Sequence, residues 1–454
     1  MDQNTHSVIP PVLDVREELH AAPLGRFHIM LGVLLACVLL FDGYDLYTAA
    51  YIVHDVVGPW GLSSSQIGLM LSSGLGGFAA GSAVSGMFGD RFGRRTVLLA
   101  GVWISGLFSV LIAVGARDFG AFVALRFLMG ISLGLLMPMA VTYINEIAPR
   151  RQANVFTIVF FSLGWIGGAT CSGFIAAWLT PRYGWPSLYW VGALSLFVAL
   201  LLQFCLPESV CFLASRQRWT EVNALMGRFW PARAETYRTA KLVLRDDAVR
   251  RGSIASLLLP AYRRQTIGFW IMGALSLFAS YGLSGWLPTI MLRRGETLST
   301  SFAYGSLLVG ASAFGSLFTG FWADHVRSRR QALSLAWCIA AVGVAMLASP
   351  AGGWLTQVGI LVAGMFVIGP QTVLNNLVAV SYPTEIRSTG VGMYLGLSRV
   401  GAMLGPAIAG MLQQWTGGPG AMFVVIGLAL VTDAAVVWLV VRKVPVAEAP
   451  VFCH

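Results

Sequence analysis

The stretch GMFGDRFGRR, residues 86–95, is a short basic loop rich in glycine that separates two long apolar segments. A related stretch, GFWADHVRSRR, begins 234 residues later, at Gly320. Other residues of matching type repeat at this same offset: Tyr47 and Tyr281, Gly130 and Gly364, and Pro149 and Pro383. Because several matches at one offset are improbable by chance, the chain is predicted to contain two copies of one structural unit.

The composition indicates that this unit lies in lipid. Hydrophobic residues make up 56% of the 454 residues and charged residues only 11%, against about 25% charged in a soluble domain. Twelve segments between residues 27 and 441 have the roughly 20 apolar residues that cross a bilayer as a helix, whereas β-barrel strands would be about half as long and alternate in polarity. The sequence therefore predicts an all-α integral membrane protein with twelve transmembrane helices.

The longest polar segment divides these helices into six and six. The predicted organisation is an N-terminal tail (1–26), a six-helix bundle (27–206), a linker (207–264), a second six-helix bundle (265–441) and a C-terminal tail (442–454). A duplicated bundle of this kind leaves a substrate cavity between its two copies. The linker contains RWTEVNALMGRFW, residues 218–230, as a candidate surface helix. We expect the linker to be a solvated or interfacial connector, with a regulatory site as the alternative.

The net charge of +10 follows the predicted topology. With an even number of spans both termini lie on one side. Of the 30 Lys and Arg residues, 24 fall on that side, four on the other, and two, Arg126 and Arg399, within spans. The positive-inside rule places the richer side in the cytoplasm. We therefore expect a multi-pass protein of the cytoplasmic (inner) membrane, with both termini cytoplasmic and no nucleic-acid partner.

The loop 86–95 resembles the signature between helices 2 and 3 of the major facilitator superfamily, whose pattern G-x-x-x-D-R-x-G-R-R it matches in full. The resemblance implies the major facilitator fold, two pseudo-symmetric six-helix bundles, and a loop with a role in conformational gating. An ordinary basic turn is the alternative. The second copy of the loop is degraded, since His325 and Ser328 replace an Arg and a Gly. The expected gating residues are Gly86, Asp90, Arg91, Gly93, Arg94, Arg95, Glu146 at the end of the fourth helix, and Asp324 in the second copy.

A second resemblance to a known family comes from a stretch in the first helix. Its stretch DGYD, from Asp42 to Asp45, looks like the D-G-x-D motif of the aromatic acid:proton symporter family. The stretch SYPTEIRSTGVG, residues 381–392, also resembles that family and the neighbouring sugar and organic-acid transporters. The resemblance implies a proton-coupled importer of benzoate-like or hydroxybenzoate-like acids that works by alternating access. Transport of another organic acid, or export, is the alternative.

Asp42 and Asp45 would be costly in contact with lipid, about 2.5–3.5 kcal/mol each at a helix centre. Three residues apart on a helix, they share a face, which must look into the bundle or into a wet cavity. Close carboxyls shielded from water can exchange a proton near physiological pH, so we expect the pair to couple transport to protons. A static ion pair or a hydrogen-bonded structural carboxylate is the alternative.

Two arginines within spans complete the candidate site. Arg126 lies about two turns inside the fourth helix, and Arg399 lies near the middle of the eleventh. A guanidinium group matches the geometry of a carboxylate with two parallel hydrogen bonds. We expect one arginine to bind the acid group of the substrate, with Arg399 preferred, and the other to pair with Asp42 or Asp45. For Arg126 a permanent Asp–Arg bridge between helices is an equal alternative.

An aromatic substrate requires aromatic walls and a few polar contacts. Tyr47 and Tyr281 are expected to contact its ring, and Asn375 or Asn376 of the tenth helix to contact ring hydroxyl groups. Aromatic residues in spans more often pack or anchor a helix. With that alternative open, the further wall candidates are Tyr44, Trp165, Phe278 and Tyr394.

Three other polar residues lie at or near spans. His54 and Asp55 are expected in a solvated loop after the first helix. Asp433 of the twelfth helix is expected to form a local hydrogen bond with a neighbouring threonine.

The sequence lacks the motifs that are typical of other classes of protein. It contains no H-E-x-x-H, no cluster of histidines and no nucleotide-binding P-loop, and its six cysteines include no C-x-x-C pair. An enzyme, an ATP-driven pump or a sensor is therefore disfavoured. We expect no cofactor and no metal. The expected partners are a small aromatic carboxylate, a proton and the lipid bilayer, and a monomer suffices for this architecture.

Overall fold

A computed structural model describes residues 12–244, 254–326, 328–349 and 353–440. Within these ranges, twelve helices are long and apolar enough to cross a membrane, as predicted. We label them α1–α12 in chain order. Their bounds are α1 Arg26–Trp60, α2 Ser64–Phe92, α3 Arg94–Gly115, α4 Phe119–Ile147, α5 Ala153–Phe161 continued by a π-helical turn Ser162–Ile166 and Gly167–Tyr183, α6 Pro186–Ala193 and Ser195–Cys205, α7 Arg263–Arg293, α8 Leu298–His325, α9 Arg329–Ala348, α10 Trp354–Ala363 continued by a π-helical turn Gly364–Ile368 and Gln371–Ser381, α11 Thr384–Thr416, and α12 Gly420–Val440.

Capping interactions and a glycine at the helix ends explain several of these bounds. Ser63 and Gln66 form a reciprocal capping box at the start of α2, with hydrogen bonds of 2.9 and 3.3 Å. Asp118 caps α4 by accepting a hydrogen bond from the Ala121 amide at 2.9 Å. Gly93 stands between α2 and α3 with φ at +93°, a conformation that side chains disfavour and glycine permits.

Glycines bring the helices of each half together at equivalent positions. In the first half, a Cβ atom at Gly130 of α4 would clash with the carbonyl group of Gly74 in α2. In the second half, a Cβ atom at Gly364 of α10 would clash with the carbonyl group of Leu308 in α8. Gly130 and Gly364 are 234 residues apart, and so are their partners Gly74 and Leu308. The repeat in the sequence is therefore a repeat in the structure. Small residues at these crossings let the backbones approach closely, which yields the predicted pair of six-helix bundles.

The two halves pack against each other toward the face opposite the chain termini. There a Cβ atom at Gly68 of α2 would clash with the Pro406 carbonyl group of α11. The Ser299 hydroxyl of α8 donates a hydrogen bond to the Ala177 carbonyl of α5 at 3.1 Å. These contacts join α2 to α11 and α5 to α8, so they close the space between the halves on this side, which we call the opposite face.

The space between the halves is open at the other side, which we call the terminal face because the chain enters α1 and leaves α12 there. Gly86 of α2, Gly320 of α8 and Gly392 of α11 all lie toward this face. A Cβ atom at any of the three would meet no described residue within 4 Å. The helices that touch across the opposite face therefore diverge as they approach the terminal face.

The N-terminal segment and the linker form a small layer on the terminal face. Two short parallel strands pair in it, β1 Val12–Asp14 and β2 Lys241–Val243. Its other elements are the helices Val15–Ala21, Val210–Ser215, Trp219–Phe229, Ala234–Thr239 and Ile254–Leu257 and the 3₁₀ turn Pro231–Arg233. The candidate surface helix within residues 218–230 is thus present.

The described part of this layer packs against the first half of the protein. Glu18 accepts hydrogen bonds from the Arg233 guanidinium at 2.5 Å and from the Tyr237 hydroxyl at 3.0 Å. Burial, aided by the neighbouring carboxylate, raises the pKa of Tyr237. The rings of Phe27 and Phe229 meet edge to face with centroids 4.8 Å apart. The apolar side of the linker helix therefore covers the first half of the protein.

The first helix is longer than predicted and ends at Trp60, so His54 and Asp55 lie within it rather than in a loop. The Trp60 ring packs against Phe122 and Trp185, with centroid distances of 5.9 and 6.1 Å. These tertiary contacts extend the helix beyond the length that a bilayer requires. The predicted C-terminal tail, residues 442–454, lies outside the described residues.

Candidate functional site

Asp42 is fully buried on α1 near the boundary between the halves. Neither of its carboxylate oxygens meets the geometry of a hydrogen bond with a described residue, although the Trp165 indole lies next to the carboxylate. The charge that acts on it most is the Arg399 guanidinium, on α11 of the other half, followed by the Asp45 carboxylate. No ion pair joins Asp42 to Arg399 in the described part of the chain. A buried carboxyl without hydrogen bonds is stable when it is neutral or when a positive charge approaches it.

Asp45, one turn further along α1, faces the interior of the first half. A Cβ atom at Gly192 of α6 would contact its carboxylate, and Arg126 of α4 is the cation that acts on it. A separation of three residues leaves Asp42 and Asp45 about 60° apart around the helix. This angle is enough to direct Asp42 toward the second half and Asp45 toward α4 and α6, so the two carboxyls do not share one environment.

Arg126 reaches from α4 to the backbone of α1. Its Nη2 donates hydrogen bonds to the carbonyl oxygens of Asp45 at 2.5 Å and of Leu46 at 2.9 Å, and its Nη1 lies 3.6 Å from the Met129 sulfur. The residue is 1% exposed. A guanidinium group so enclosed holds two helices together. The permanent Asp–Arg bridge expected as an alternative is not formed in the described part of the chain, and Arg126 joins the two helices through backbone carbonyls instead.

Arg399 is half-buried and extends from α11 toward the first half. Its guanidinium carbon lies 4.6 Å from the centre of the Phe78 ring, and its Nη2 lies 3.5 Å from the Met137 sulfur. Both partners belong to the first half and neither carries a charge. The Tyr281 hydroxyl of α7 also lies next to this guanidinium group. An arginine has five N–H donors, so the remaining donors of Arg399 are left for an anion.

Aromatic rings from both halves meet beside these charges. Tyr47 of α1 stacks on Tyr281 of α7 with centroids 6.0 Å apart and an angle of 28° between the planes, and Trp165 of α5 meets Tyr47 edge-on at 6.0 Å. The two tyrosines are the pair related by the 234-residue repeat. Trp165 belongs to the π-helical turn Ser162–Ile166, a distortion that is frequent at functional positions.

One predicted wall residue lies elsewhere. The Tyr44 hydroxyl donates a hydrogen bond to the Leu188 carbonyl at 2.9 Å, which places this ring between α1 and α6 inside the first half. Tyr44 is 1% exposed. It therefore belongs to the packing of the first half and does not reach the boundary between the halves.

A polar cluster of Ser276, Gln371, Asn375 and Tyr394 joins α7, α10 and α11. Gln371 Nε2 donates to the Tyr394 hydroxyl at 2.9 Å and to Asn375 Oδ1 at 3.2 Å. The Tyr394 hydroxyl donates to Asn375 Oδ1 at 2.9 Å, and the Ser276 hydroxyl donates to Gln371 Oε1 at 2.8 Å. Asn376 is exposed and stands outside the cluster. Ser276 and Gln371 were not among the residues predicted from the sequence. The available signal was an amide one helical turn before Asn375.

The loop between α2 and α3 is tied to the end of α4. Arg94 Nε donates to Glu146 Oε1 at 3.2 Å, and Arg94 Nη2 lies 3.5 Å from Asp90 Oδ1. The Ser209 hydroxyl, at the start of the linker, also donates to Glu146. The structure thus brings together three of the residues predicted for gating.

The same loop is held to the end of α6 and to the start of the linker by its neighbouring residues. Arg95 donates from Nε to the Leu206 carbonyl and from Nη2 to the Gln203 carbonyl, both at 2.7 Å. A side chain at Gly93 would clash with the Glu208 carboxylate. Arg91 lies 5.3 Å over the Phe92 ring. In the second half, Asp324 is exposed near the end of α8.

Asp433 of α12 is fully buried, and neither of its carboxylate oxygens has a hydrogen-bond partner in the described part of the chain. The expected hydrogen bond with a threonine is wrong, because the exposed Thr432 hydroxyl donates to the Leu428 carbonyl at 2.7 Å instead. Asp433 lies within electrostatic range of Tyr394. It therefore stands behind the polar cluster.

Twelve spans in two repeated halves, with charged and aromatic side chains buried where the halves meet, define a secondary transporter of the alternating-access class. The space between the halves, closed at one face and open at the other, is the feature that this class requires. The chain belongs to the major facilitator superfamily, whose family model, described as Major Facilitator Superfamily, matches residues 33–369 and 305–452. The predicted superfamily is thereby confirmed.

Several characterised relatives are similar to this chain along almost their whole length. A gallate transporter of Pseudomonas putida is 32% identical over 433 residues, which cover 92% of this chain and 94% of that protein. The 4-hydroxybenzoate transporter PcaK of Pseudomonas aeruginosa is 32% identical over 404 residues, covering 88% and 89%. A benzoate transport protein of Acinetobacter baylyi is 27% identical over 408 residues, covering 88% and 86%.

Solved structures agree on the fold. The xylose transporter XylE from E. coli, in a partially occluded inward-open conformation, superposes with a TM-score of 0.71 at 17% identity. The superposition covers 92% of this chain and 100% of that one. At this level of identity the likeness extends to the fold alone.

Proposed function

We propose that this protein is a proton-coupled secondary transporter that imports small aromatic carboxylates of the benzoate or hydroxybenzoate class by alternating access. The observation that carries the proposal is the meeting of Asp42, Arg399 and the Tyr47–Tyr281 pair at the boundary between the halves. Together they supply a titratable carboxyl group, a cation for an anion and flat aromatic surfaces. The relatives named for gallate, 4-hydroxybenzoate and benzoate support this class of substrate.

Arg399 binds the carboxylate of the substrate. Its neighbours in the first half are a phenyl ring and a thioether, so a carboxylate that accepts two of its hydrogen bonds is the strongest partner available to it. The substrate ring then lies against Tyr47, Tyr281 and Trp165, where stacked and edge-on contacts between aromatic rings are favourable.

Asp42 carries the transported proton. Without substrate, a charged Asp42 attracts Arg399 across the boundary and competes with the incoming anion. Protonation neutralises Asp42 and frees Arg399 for the substrate carboxylate. The proton and the anion therefore bind together, and the net charge of the site is the same before and after both have bound. This balance lets the loaded halves reorient without moving an unpaired charge through a low-dielectric region.

Asp45 and Arg126 position the site. The two hydrogen bonds from Arg126 to the backbone of α1 fix the segment that carries both aspartates. Asp45 supplies a balancing charge beside that guanidinium group. In this assignment Arg126 shapes the substrate site without contacting the substrate, and Asp45 affects proton transfer through Arg126.

The terminal face is the cytoplasmic one, in the inner membrane, because it carries most of the Lys and Arg residues. The loop 86–95 acts as a gate on this face. Its Arg94–Glu146 pair is formed here with the terminal face open, and closure of that face must rearrange it. The protein acts as a monomer and has no catalytic activity of its own.

Uptake into proteoliposomes tests the proposal. Purified protein is reconstituted, and labelled benzoate and 4-hydroxybenzoate are supplied with and without an inward proton gradient. We expect accumulation that requires the gradient and collapses when an ionophore dissipates it. Equilibration of the labelled acid across the membrane without a gradient requirement would show that transport is not coupled to protons and that the protein is a facilitator. Failure of correctly folded protein to carry any aromatic acid would overturn the substrate class.

A further inference from the structure

In the proposed function, neither the substrate carboxylate nor the proton binds to the polar cluster of Ser276, Gln371, Asn375 and Tyr394. We propose that this cluster is a subsite for a phenolic hydroxyl group, so that the protein prefers hydroxylated aromatic acids to unsubstituted ones. The inference rests on the proposed function and specifies which members of the substrate class the site favours.

The cluster has unused hydrogen-bonding capacity on its accessible side. Gln371 Nε2 makes two hydrogen bonds and Asn375 Oδ1 accepts two. Asn375 Nδ2 has no partner among the described residues and is not one of the buried unpartnered atoms, so it is open to a ligand. Gln371 Oε1 accepts one bond, from Ser276, and a carbonyl oxygen can accept two. A phenolic hydroxyl can therefore accept from Asn375 Nδ2 and donate to Gln371 Oε1.

The cluster suits a neutral group rather than a second anion. All four side chains are uncharged, and no arginine or lysine donates a hydrogen bond to them in the described part of the chain. The Asp433 carboxyl behind Tyr394 offers no positive charge, and the Arg399 guanidinium within electrostatic range of Tyr394 is taken by the substrate carboxylate. A second carboxylate would be buried there without a cation, which is costly, whereas a hydroxyl group would be satisfied.

The separation between the cluster and the anion site matches one substituted ring. Ser276 precedes Tyr281 by five residues on α7, which is about 7.5 Å along the helix axis. Tyr394 precedes Arg399 by five residues on α11, which is the same distance of about 7.5 Å. Both helices run from the terminal face to the opposite face, so the cluster lies on the terminal side of the Arg399 layer. Along the helix axes, this gap is comparable to the length of one benzene ring with a carboxylate at one end and a hydroxyl at the other.

The backbone of α10 is distorted where it presents the cluster. The π-helical turn Gly364–Ile368 is followed at once by a turn at Gly369 and Pro370, and the helix resumes at Gln371. A π-helical turn shifts the residues that follow it around the helix axis, and such turns are frequent at functional positions. The distortion rotates Gln371 and Asn375 together toward α7 and α11, where their hydrogen-bond partners lie.

The test compares two substrates in the same proteoliposomes. Initial uptake of 4-hydroxybenzoate and of benzoate is measured below saturation in wild type, Asn375→Leu and Gln371→Leu. We expect the ratio of 4-hydroxybenzoate to benzoate uptake to fall about 5- to 10-fold in each variant, the effect of losing one neutral hydrogen bond. The matched control is Thr372→Val, at an exposed position of the same helix, which leaves the ratio unchanged.

A further variant tests whether a changed ratio reflects misfolding. A further substrate tests whether the cluster binds a neutral group or an anion. Tyr394→Phe removes only the hydroxyl that joins Gln371 to Asn375, and it is expected to lower the same ratio. Terephthalate, which carries a second carboxylate in place of the 4-hydroxyl group, is expected to be a poorer substrate than benzoate for wild type. An unchanged ratio in folded Asn375→Leu and Tyr394→Phe would overturn the subsite and leave the proposed function standing. Absence of uptake of both acids by wild type would overturn the proposed function itself.

Discussion

Asp42 and Arg399 face each other from opposite halves of the protein, within electrostatic range and yet without an ion pair between them in the described part of the chain. Alternating access moves the halves relative to each other, so a permanent ion pair at this boundary would favour one conformation over the other. A pair that forms and releases with protonation instead links the two conformations to the proton. The account of coupling depends on this relationship.

The Asp42→Asn variant separates coupling from binding. The amide imitates the neutral form of Asp42 and leaves Arg399 permanently free for the substrate. We expect the variant to lose accumulation driven by a proton gradient and to keep exchange of external labelled benzoate for internal benzoate. The control is Asp55→Asn, which removes a carboxylate from a partly exposed position of the same helix. Wild-type accumulation by Asp42→Asn would show that another group carries the proton.

The Arg399→Lys variant tests the shape of the anion site as distinct from its charge. A lysine keeps the positive charge but cannot form two parallel hydrogen bonds to one carboxylate. We expect the apparent affinity for benzoate to fall about 10- to 150-fold, the effect of losing a hydrogen bond to a charged group. Substrate competition in proteoliposomes measures it, with Arg293→Lys at the end of α7 as the control. Equal affinities in Arg399→Lys and wild type would place the carboxylate elsewhere.

Replacement of Arg126 by methionine is expected to act mainly on stability. The change deletes the hydrogen bonds to the Asp45 and Leu46 carbonyls and leaves those oxygens buried, so the free energy of unfolding should fall by about 3 kcal/mol. Thermal unfolding in detergent measures the effect. The control is Arg182→Met, which removes an exposed arginine that also donates to a carbonyl. A full loss of substrate binding with unchanged thermal stability would instead make Arg126 a substrate ligand.

Gly68→Val is expected to hold the opposite face open. A side chain at Gly68 would clash with the Pro406 carbonyl of α11, a contact that exists only while that face is closed. Spin labels at Gly61 and Glu296, in the turns on this face, should therefore move apart in the variant, and uptake should be lost. Gly58→Val is the matched control, because a Cβ atom there would meet no atom of the described residues within 4 Å. Unchanged label distances in Gly68→Val would show that the contact does not close the face.

Much of the fold could be predicted because it depends on local properties of the chain. The length of each span follows from a run of apolar residues. The repeat at an offset of 234 follows from matching residues, glycines among them. The pairing of Arg94 with Glu146 could also be expected, since both lie at helix ends on the terminal face. These features do not depend on how each helix is rotated about its axis.

The parts that could not be predicted depend on that rotation and on the approach of distant helices. Asp42 and Asp45 diverge because about 60° of rotation separates them, and only the structure shows which neighbour each meets. Arg126 binds backbone carbonyls 80 or more residues away in sequence. Asp433 has no hydrogen-bond partner among the described residues, because the threonine beside it faces outward. The polar cluster draws on three helices, and no sequence spacing brings Ser276 and Tyr394 together.

The central claim is that substrate binding and protonation of Asp42 are one event. The most direct measurement is proton uptake by the purified protein on addition of benzoate, recorded with a pH indicator in weakly buffered detergent solution near neutral pH. The account predicts that wild type takes up about one proton for each benzoate bound and that Asp42→Asn binds benzoate without proton uptake. Benzoate binding by wild type without any proton uptake, or the same uptake in Asp42→Asn, would contradict it.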